Sequence, residues 1–366
     1  MKRPKRQSST GGRVEGKWPY TARDVTLYIP FYQAHTTIQR VWEAVRRLSP
    51  APARIIIVDD GSPQPFQDPG DARLEIVRLP ENRGLANARN VALDHTRTEL
   101  IAALDADVMP AHDWLEKMLE ACNSQRAHGV GGRLDEYYQH RPADCWRARH
   151  MAQHWGDTLT TTPRFLYGAN TLFLTEVLKH AGGYDPELRT NNEDRTMSDL
   201  LVEKGYTLVY TPAARAYHLR KDTNRTILQG YWKWHHARGL KLGHFHHFSR
   251  LCRRIAEVNF GIGRYRVDLD INEKRFDLLR FDVAIPWVFS VLDVQLYNRL
   301  NPQQPFRFDP FAVIQKMPPA LRRFLRSITP AMTSDLPRNP RYEQQFRELW
   351  QDHEWQKRVR ELDQLT

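Results

Sequence analysis

Residues 54–62, with the sequence RIIIVDDGS, place four consecutive β-branched residues directly before Asp59, Asp60 and Gly61. Such an apolar run is typical of a strand that is buried on both faces, as in a parallel sheet. Residues 100–107, LIAALDAD, repeat this design, because an apolar run ends at Asp105 and Asp107. The carboxyl ends of parallel strands meet at one edge of a sheet, where ligands bind. The two segments therefore predict two neighbouring strands with an acidic crevice at their ends.

Strand and helix patterns alternate around these two segments. Strands are predicted at 25–29, 54–58, 74–79 and 100–104, and helices at 36–48, 84–96 and about 112–122. This alternation predicts an α/β fold, a mostly parallel sheet with helices on both faces. Beyond Gly168 the pattern predicts strands at 171–174, 208–210 and 214–218, and a helix at 193–204 that Gly205 ends.

Charge divides the 366-residue chain. The net charge is +5 for residues 1–17 and +10 for residues 221–326, whereas it is +11 for the whole chain, so the remaining residues are slightly acidic. We expect a disordered basic tail over 1–20, a catalytic domain over 21–222 and a mainly helical basic extension over 223–366.

Three scattered cysteines argue against a disulfide scaffold. No apolar run approaches the roughly 18 residues that span a bilayer, and no secretory signal pattern is present, so we expect a cytoplasmic protein.

Each acidic motif has two interpretations from the residues alone. Asp105 and Asp107 could both ligate one hard cation, or form a solvated turn or helix cap. Asp59 and Asp60 could accept hydrogen bonds from a nucleotide base, or cap a turn. Arg89, near the start of a helix, could contact a nucleotide or make an ordinary ion pair.

Taken in order, the motifs resemble those of the family 2 glycosyltransferases with the GT-A fold. The resemblance covers roughly residues 24 to 220 and rests on VDDGS at 58–62, NRGLANARN at 82–90, DAD at 105–107, GAN at 168–170, NED at 192–194 and the isolated His218.

The resemblance implies an inverting transferase that moves a sugar from a nucleotide-diphospho-sugar, with a UDP-sugar favoured, and that uses Mn²⁺ or Mg²⁺. The implied roles are nucleotide binding for Pro30, Asp59, Asp60, Arg89 and Asp105; donor and acceptor contacts for Gly168, Ala169 and Asn170; catalysis for Asp194 with Glu193, Asp194 being the base; and metal ligation for Asp107 and His218. Glu193 and Asp194 could instead be acids that the helix dipole favours, and His218 could be a structural residue.

Two departures from the family pattern bear on the reaction. The Gln-x-x-Arg-Trp motif of processive members is replaced by QGYWKW at 229–234, which favours transfer of a single sugar. The segment after Asp194, RTMSD at 195–199, lacks the acid two positions on that relatives commonly carry, so the acceptor contacts differ.

The basic extension has its own alternatives. Aromatic and basic residues at 225–241 suit an interfacial helix on an anionic membrane, or a helix that packs its aromatics on the catalytic domain. The histidines at 235, 236, 244, 246 and 247 indicate a solvated patch rather than a metal site. The family resemblance implies a glycan or lipid-linked acceptor in surface polysaccharide or glycolipid assembly, and the basic flanks are compatible with peripheral contact at the inner face of the plasma membrane.

Two other functions compete with sugar transfer. A sugar nucleotidyltransferase would require a glycine-rich N-terminal motif after the first strand, where this chain has Pro30-Phe31-Tyr32. A membrane- or nucleic-acid-binding protein with a degenerate transferase core is compatible with the basic flanks, but it would have lost acids from its motifs. No nucleic-acid-binding module is recognisable, so we expect no nucleic-acid partner.

Overall fold

The computed structural model describes residues 14–189, 191–330 and Gln344, and these form two compact units. Unit 1 comprises residues up to Leu134, His154–Asp185 and Asn192–Tyr217. Unit 2 comprises Asp135–Gln153, Pro186–Asn191 and the chain from His218 onward. The predicted boundary at 222 lies close to the last crossing between the units. The chain also enters unit 2 twice before that point, a course that periodicity does not reveal.

The sheet of unit 1 has eight strands, in the order β3-β2-β1-β4-β7-β6-β8-β5. The strands are β1 (Val25–Phe31), β2 (Arg54–Asp59), β3 (Leu74–Arg78), β4 (Leu100–Leu104), β5 (Val108–Pro110), β6 (Gly129–Glu136), β7 (Asn170–Leu174) and β8 (Leu208–His218). Strands β3, β2, β1 and β4 are parallel, whereas β7 pairs antiparallel with both β4 and β6. The predicted α/β class is confirmed.

Five helices accompany the sheet in unit 1: α1 (His35–Arg46), α2 (Leu85–His95), α3 (Trp114–Ser124), α5 (Thr175–Ala181) and α6 (Glu193–Glu203). Each forms where apolar residues recur at helical spacing, as in α1, which buries Ile38, Val41, Trp42 and Val45 on one face. The predicted run Arg54–Val58 is a strand that is buried on both faces from Ile55 onward. The antiparallel pairing of β7 with β4 was not predicted.

The described part of the predicted N-terminal tail, residues 14–20, packs on unit 1. The Tyr20 N–H donates to Asn123 Oδ1 (2.8 Å), and Asn123 Nδ2 donates back to the Tyr20 carbonyl (2.9 Å). Lys17 pairs with Glu99 at 2.8 Å, and Tyr20 is 6% exposed. Residues 14–20 therefore belong to the domain, because they satisfy buried polar groups of α3. The rest of the predicted tail, 1–13, lies outside the described residues, as does the extension beyond 330 except Gln344.

Gly61, in the turn after β2, is required by both its backbone conformation and its surroundings. Its φ is +69°, and an added Cβ would lie 2.3 Å from the carbonyl carbon of Glu81. Gly70 has a φ of +77° with open space around it. We expect Gly70→Ala to lower the free energy of unfolding by about 1–2 kcal/mol, the cost of a left-handed backbone. Gly61→Ala should cost about 2–5 kcal/mol, because the clash adds to that strain.

Urea denaturation of the two variants separates the contributions. Equal losses in the two variants would contradict the close approach of the turn to Glu81.

Unit 2 is helical. Its helices are α4 (Pro142–His150), α7 (Asn224–Lys241), α8 (Phe248–Arg253), α9 (Phe260–Asn272), α10 (Leu279–Asp282), α11 (Ile285–Leu300), α12 (Pro310–Gln315) and α13 (Pro319–Ile328), with a π-helical turn at Arg254–Asn259. The predicted helical extension is thus present, and α4 joins it from earlier in the chain. No helix among the described residues is long and apolar enough to cross a membrane.

The aromatic residues of α7 lie in the core of unit 2, which corrects the interfacial-helix interpretation. Ile227, Leu228, Tyr231 and Trp232 are at most 2% exposed and pack with residues of α4 and α11. Trp232 Nε1 donates to Asp293 Oδ1 (2.8 Å), and Asp293 also accepts from Arg254 Nε (2.8 Å). This pairing explains how α11 buries an acid within its apolar sequence.

The histidine patch is not solvated as predicted. His236 and His246 are buried, and burial lowers the pKa of His235, His236 and His244 to about 4. These rings are therefore neutral at physiological pH and act as packing residues; His236, for example, stacks on Trp232 with ring centroids 4.5 Å apart. The sequence could not distinguish the two cases, because only His235 and His236 lie on α7, and the other three histidines lie in the connection between α7 and α8.

Candidate active site

Asp59 and Asp60 stabilise the turns at the end of β2. Asp59 Oδ1 accepts from the Ser62 N–H (2.9 Å) and Oδ2 from the Phe66 N–H (3.1 Å). Asp60 Oδ1 accepts from the Arg83 N–H (2.8 Å), and Oδ2 accepts from the Gly84 N–H (2.8 Å). Both side chains are at most 3% exposed. The two aspartates therefore cap turns, as one of the two interpretations predicts, and their contact with a nucleotide base stays a prediction.

Arg89 connects three parts of unit 1 from a buried position. Its side chain is 1% exposed. Nη1 donates to the Tyr28 hydroxyl (2.9 Å) and to the Gly168 carbonyl (2.7 Å), and Nη2 donates to Asp105 Oδ1 (3.2 Å). Nε lies 3.8 Å from Glu193 Oε1. Arg89 makes the ion pairs of the alternative interpretation and positions Asp105 and Gly168, and its contact with a nucleotide stays a prediction.

Replacing Arg89 tests this positioning role. In Arg89→Met the Asp105 carboxylate loses its buried cation and the Tyr28 hydroxyl and Gly168 carbonyl lose their donor, so the free energy of unfolding should fall by about 3–5 kcal/mol. Arg97→Met, which changes an exposed arginine just after α2, should stay within about 0.5 kcal/mol of wild type. Chemical denaturation of both variants provides the comparison, and similar stabilities would remove Arg89 from the role of buried connector.

The acidic pair at the start of α6 splits into a buried and a partly exposed member. Glu193 is 4% exposed, and burial raises the pKa of its carboxyl to about 8, with the Asp194 charge adding to the rise and Arg89 opposing it. Asp194 is half-buried; its Oδ2 accepts from the Gly168 N–H (3.0 Å) and its Oδ1 from the Arg195 N–H (2.7 Å). Of the two predicted catalytic acids, only Asp194 has a carboxylate that is partly open to solvent.

The segment 168–170 is fixed between Asp194 and the core. A Cβ on Gly168 would lie 2.9 Å from Arg89 Nη2 and 3.0 Å from the Asp194 Cβ, so only glycine fits there. The Asn170 side chain is fully buried: its Oδ1 accepts from Trp114 Nε1 (2.7 Å) and its Nδ2 donates to the Arg133 carbonyl (2.9 Å). The Asn170 side chain therefore positions the segment, and the donor and acceptor contacts of Gly168, Ala169 and Asn170 stay a prediction.

Asp105 and Asp107 have the donor atoms and the accessibility that a divalent cation requires. The Asp105 side chain is 27% exposed, and Asp107 is half-buried. Among the described residues, the three-residue cluster with metal-ligand spacing lies elsewhere, at His150, Asp270 and Asp282. The two aspartates thus offer an incomplete shell, as Mg²⁺ and Mn²⁺ sites do when substrate phosphates complete it. The residues fit the implied metal.

The final β-strand supplies His218, which belongs to unit 2 and is 7% exposed. Its Nδ1 lies 3.0 Å from Glu136 Oε1, and Arg147 Nε donates to the same oxygen at 2.8 Å. A carboxylate on Nδ1 fixes the ring orientation, as it does for many metal-ligating histidines. Metal ligation by His218 stays a prediction.

Residues 26–182 match the model of Glycosyl transferase family 2. This segment is a family 2 glycosyltransferase domain. The match covers β1 to α5 and includes Asp59, Arg89, Asp105, Asp107 and Gly168, whereas Asp194 and His218 lie beyond its end. The predicted family is therefore confirmed for the part of the sheet that carries the Asp-x-Asp motif.

Relatives of the glycosyltransferase domain come from several bacteria. The chain is 28% identical over 206 residues to the pre-mycofactocin glycosyltransferase of Mycobacterium tuberculosis, covering 54% of this chain and 43% of the relative. It is 25% identical over 228 residues to the succinoglycan biosynthesis protein ExoO of Rhizobium meliloti, covering 56% of this chain and 64% of the relative. The match thus spans less than two thirds of either relative.

Among solved structures, GalNAc-T7 with UDP, GalNAc and Mn²⁺ is similar to this chain with a TM-score of 0.46 and 16% identity, over 54% of this chain and 44% of that one.

Sequence reasoning missed the residues that hold the site of the glycosyltransferase domain together. Tyr28 and Tyr184 flank Arg89, whose guanidinium lies 5.7 Å from the Tyr184 ring centroid. Trp114 and Ser198 bond to the segment around Gly168. Their partners lie far away in the sequence, so no local pattern marks them. The predicted nucleotide-binding residue Pro30 is buried within β1. It is paired with Val58, and the next residue, Phe31, is paired with Asp59.

Proposed function

We propose that the protein is an inverting glycosyltransferase that moves one sugar from a nucleotide-diphospho-sugar to an acceptor hydroxyl. The observation that carries this proposal is the half-buried Asp194 carboxylate, whose Oδ2 accepts from the N–H of Gly168, a residue of the family 2 segment. Arg89 bonds both to Gly168 and to Asp105, so the base and the Asp-x-Asp motif are tied to one another.

Asp194 is the general base of this proposal. It accepts the proton of the acceptor hydroxyl as that oxygen bonds to the anomeric carbon, and the bond from that carbon to the diphosphate oxygen breaks on the opposite face. Attack from one face and departure from the other invert the configuration. Glu193 is a positioning residue, because its buried carboxyl faces Arg89 rather than solvent.

The donor is held by residues at the ends of β2 and β4. Asp107 and Asp105 would hold Mn²⁺ or Mg²⁺, which when bound neutralises the charge that develops on the leaving diphosphate. Pro30, Asp59 and Asp60 would lie beside the nucleotide, with a UDP-sugar as the favoured donor. Asp59 and Asp60 stabilise the turns beside the proposed position of the nucleotide base, so these turns are already formed before a donor binds. This supports the placement of the nucleotide there.

A glycan or lipid-linked acceptor in surface polysaccharide or glycolipid assembly is the proposed setting. The Rhizobium relative is named for succinoglycan biosynthesis, which supports a polysaccharide role. Peripheral contact with the inner face of the plasma membrane would depend on the basic residues between 221 and 326, since the aromatic residues of α7 are buried.

Product analysis tests the proposed reaction against its alternatives. The protein is incubated with UDP-, GDP-, CDP- and dTDP-sugars, Mn²⁺ and mixed glycan acceptors, and the products are followed by mass spectrometry and NMR. Transfer with release of a nucleoside diphosphate and inverted linkage is expected. Formation of a sugar nucleotide and pyrophosphate from a nucleoside triphosphate and a sugar phosphate would instead identify a nucleotidyltransferase.

A further inference from the structure

Three aromatic rings cluster in the segment of unit 1 that leads into Gly168. Trp155 stacks on Tyr167 with ring centroids 5.4 Å apart and an interplanar angle of 27°. Phe165 packs edge-on against both, at 5.2 Å from Trp155 and 4.7 Å from Tyr167. All three side chains are half-buried, so the cluster keeps aromatic area in contact with water. Exposed apolar area of this kind is unfavourable and commonly marks a binding site.

The aromatic cluster is held in a fixed position. Trp155 Nε1 donates to the Phe165 carbonyl (2.7 Å), which closes the segment on itself. The Tyr210 hydroxyl of β8 donates to the Gly156 carbonyl (2.8 Å), and the Leu166 N–H donates to Ser198 Oγ of α6 (3.1 Å). Anchoring to a strand and to a helix reduces the conformational entropy that a ligand would otherwise have to remove.

The cluster lies next to the proposed base. Tyr167 immediately precedes Gly168, whose N–H donates to Asp194 Oδ2 at 3.0 Å. Burial raises the pKa of Tyr167 to about 12, and the Asp194 charge adds to this rise, which indicates that the phenol is near that carboxylate and stays protonated. A ring stacked on the cluster would therefore lie close to the group that accepts a proton.

One cation lies over the cluster, and further polar residues lie close to Trp155 in the sequence. The Arg195 guanidinium lies over Phe165 at 6.0 Å from its centroid and is 62% exposed. Asp157, 90% exposed, pairs with Arg133, and exposed threonines at 158, 161 and 162 follow it. A hydrocarbon chain over this surface would remove water from the Arg195 guanidinium and the threonine hydroxyls without replacing its hydrogen bonds. A pyranose ring would satisfy them, because it presents C–H groups on its faces and hydroxyls at its edge.

We propose that Trp155, Phe165 and Tyr167 form an acceptor subsite that stacks a pyranose ring beside Asp194. This proposal rests on the proposed glycosyltransferase function and selects a carbohydrate as the group that lies next to the reacting hydroxyl. It applies equally to a free glycan and to a lipid-linked one, because the sugar ring is what the subsite binds.

Fluorine NMR of protein labelled with 5-fluorotryptophan tests the subsite without a donor. The Trp155 resonance is assigned from its loss in Trp155→Phe. The probes are the methyl pyranosides of glucose, galactose, mannose and N-acetylglucosamine, each titrated with methanol as the solvent control. At least one glycoside should shift the Trp155 resonance saturably.

Variants show which of the three rings contribute to glycoside affinity. The affinity of each variant is measured from the saturation-transfer NMR signal of the glycoside that shifts Trp155. Trp155→Ala and Phe165→Ala should weaken binding about tenfold, the size of one lost stacking contact. Trp155→Phe keeps a ring and should retain most of the affinity, which separates stacking from loss of fold. Tyr265→Ala, which removes a 62% exposed aromatic residue of unit 2, should leave binding unchanged.

The outcomes separate this subsite from the proposed function. If no glycoside shifts Trp155 while a nucleoside diphosphate binds with Mn²⁺, the subsite is overturned and the transferase function stands. Undiminished glycoside binding in both folded alanine variants would also overturn it. Saturable binding at Trp155 in a protein that binds no nucleotide would support the sugar subsite and contradict the transferase function.

Discussion

Asp194→Asn abolishes sugar transfer while donor binding persists: this is the largest effect that we expect from a single substitution. A positioned general base contributes roughly a hundred- to ten-thousand-fold to rate, and transfer should fall by that factor. Asparagine has nearly the same shape and keeps one oxygen for the Gly168 or Arg195 N–H, but it cannot accept the proton of a hydroxyl. Transfer is measured as product formation at saturating donor.

Two comparisons make this result specific. Glu203→Gln removes an exposed acid from the same helix, α6, and should keep wild-type transfer. Thermal unfolding of Asp194→Asn should resemble that of wild type, because the side chain is half-buried rather than in the core. Near-normal transfer by a folded Asp194→Asn protein would remove Asp194 from the role of base.

Asp107→Asn should lose metal-dependent binding of the nucleotide. The substitution exchanges an anionic ligand for a neutral amide, and hard cations favour carboxylate oxygens. Changing a residue that only supports a metal ligand typically lowers metal affinity by about 10- to 100-fold. Changing the ligand itself should therefore lower the apparent affinity for the nucleoside diphosphate in Mn²⁺ by about 100-fold or more. Calorimetric titration in Mn²⁺ measures this change.

The matched control is Glu116→Gln, which removes an exposed carboxylate on α3, nine residues after Asp107. It should bind as wild type does. Equal metal dependence in wild type and Asp107→Asn would place the cation elsewhere in the protein.

The parallel half of the fold could be predicted because its patterns are local. The run at 54–58 is a strand since consecutive β-branched residues suit a doubly buried position, and α1 follows from apolar residues at helical spacing. Strand β6, Gly129–Glu136, was missed because glycines interrupt its apolar pattern. Strand β8 was predicted as two strands because Pro212 lies within it; the residue sits where the strand is partly exposed.

The candidate active site could likewise be predicted only where its residues belong to local patterns. The positions of Asp59, Asp60, Asp105 and Asp107 at strand ends follow from the sequence, because strands fix the places at which they end. The burial of Arg89 does not follow, since its partners Tyr28 and Gly168 lie 61 and 79 residues away. Tertiary contact turned an arginine near the start of a helix, predicted as a nucleotide ligand, into an internal connector.

Unit 2 shows how composition alone misleads. Aromatic and basic residues at 225–241 suggested either an interfacial helix or a helix packed on the catalytic domain, and the histidines at 235–247 suggested a solvated patch. Instead Trp232 pairs with the buried Asp293 of α11, which completes a polar contact inside the core. Such pairing between residues 61 positions apart leaves no trace in the periodicity of either helix.

Donor binding by the wild-type protein tests the central claim most directly. UDP, GDP, CDP and dTDP are titrated by calorimetry in Mn²⁺ and again with a chelator. Our account predicts that one nucleoside diphosphate binds in Mn²⁺ and that its binding is lost with the chelator. A folded protein that binds none of the four under either condition would contradict it.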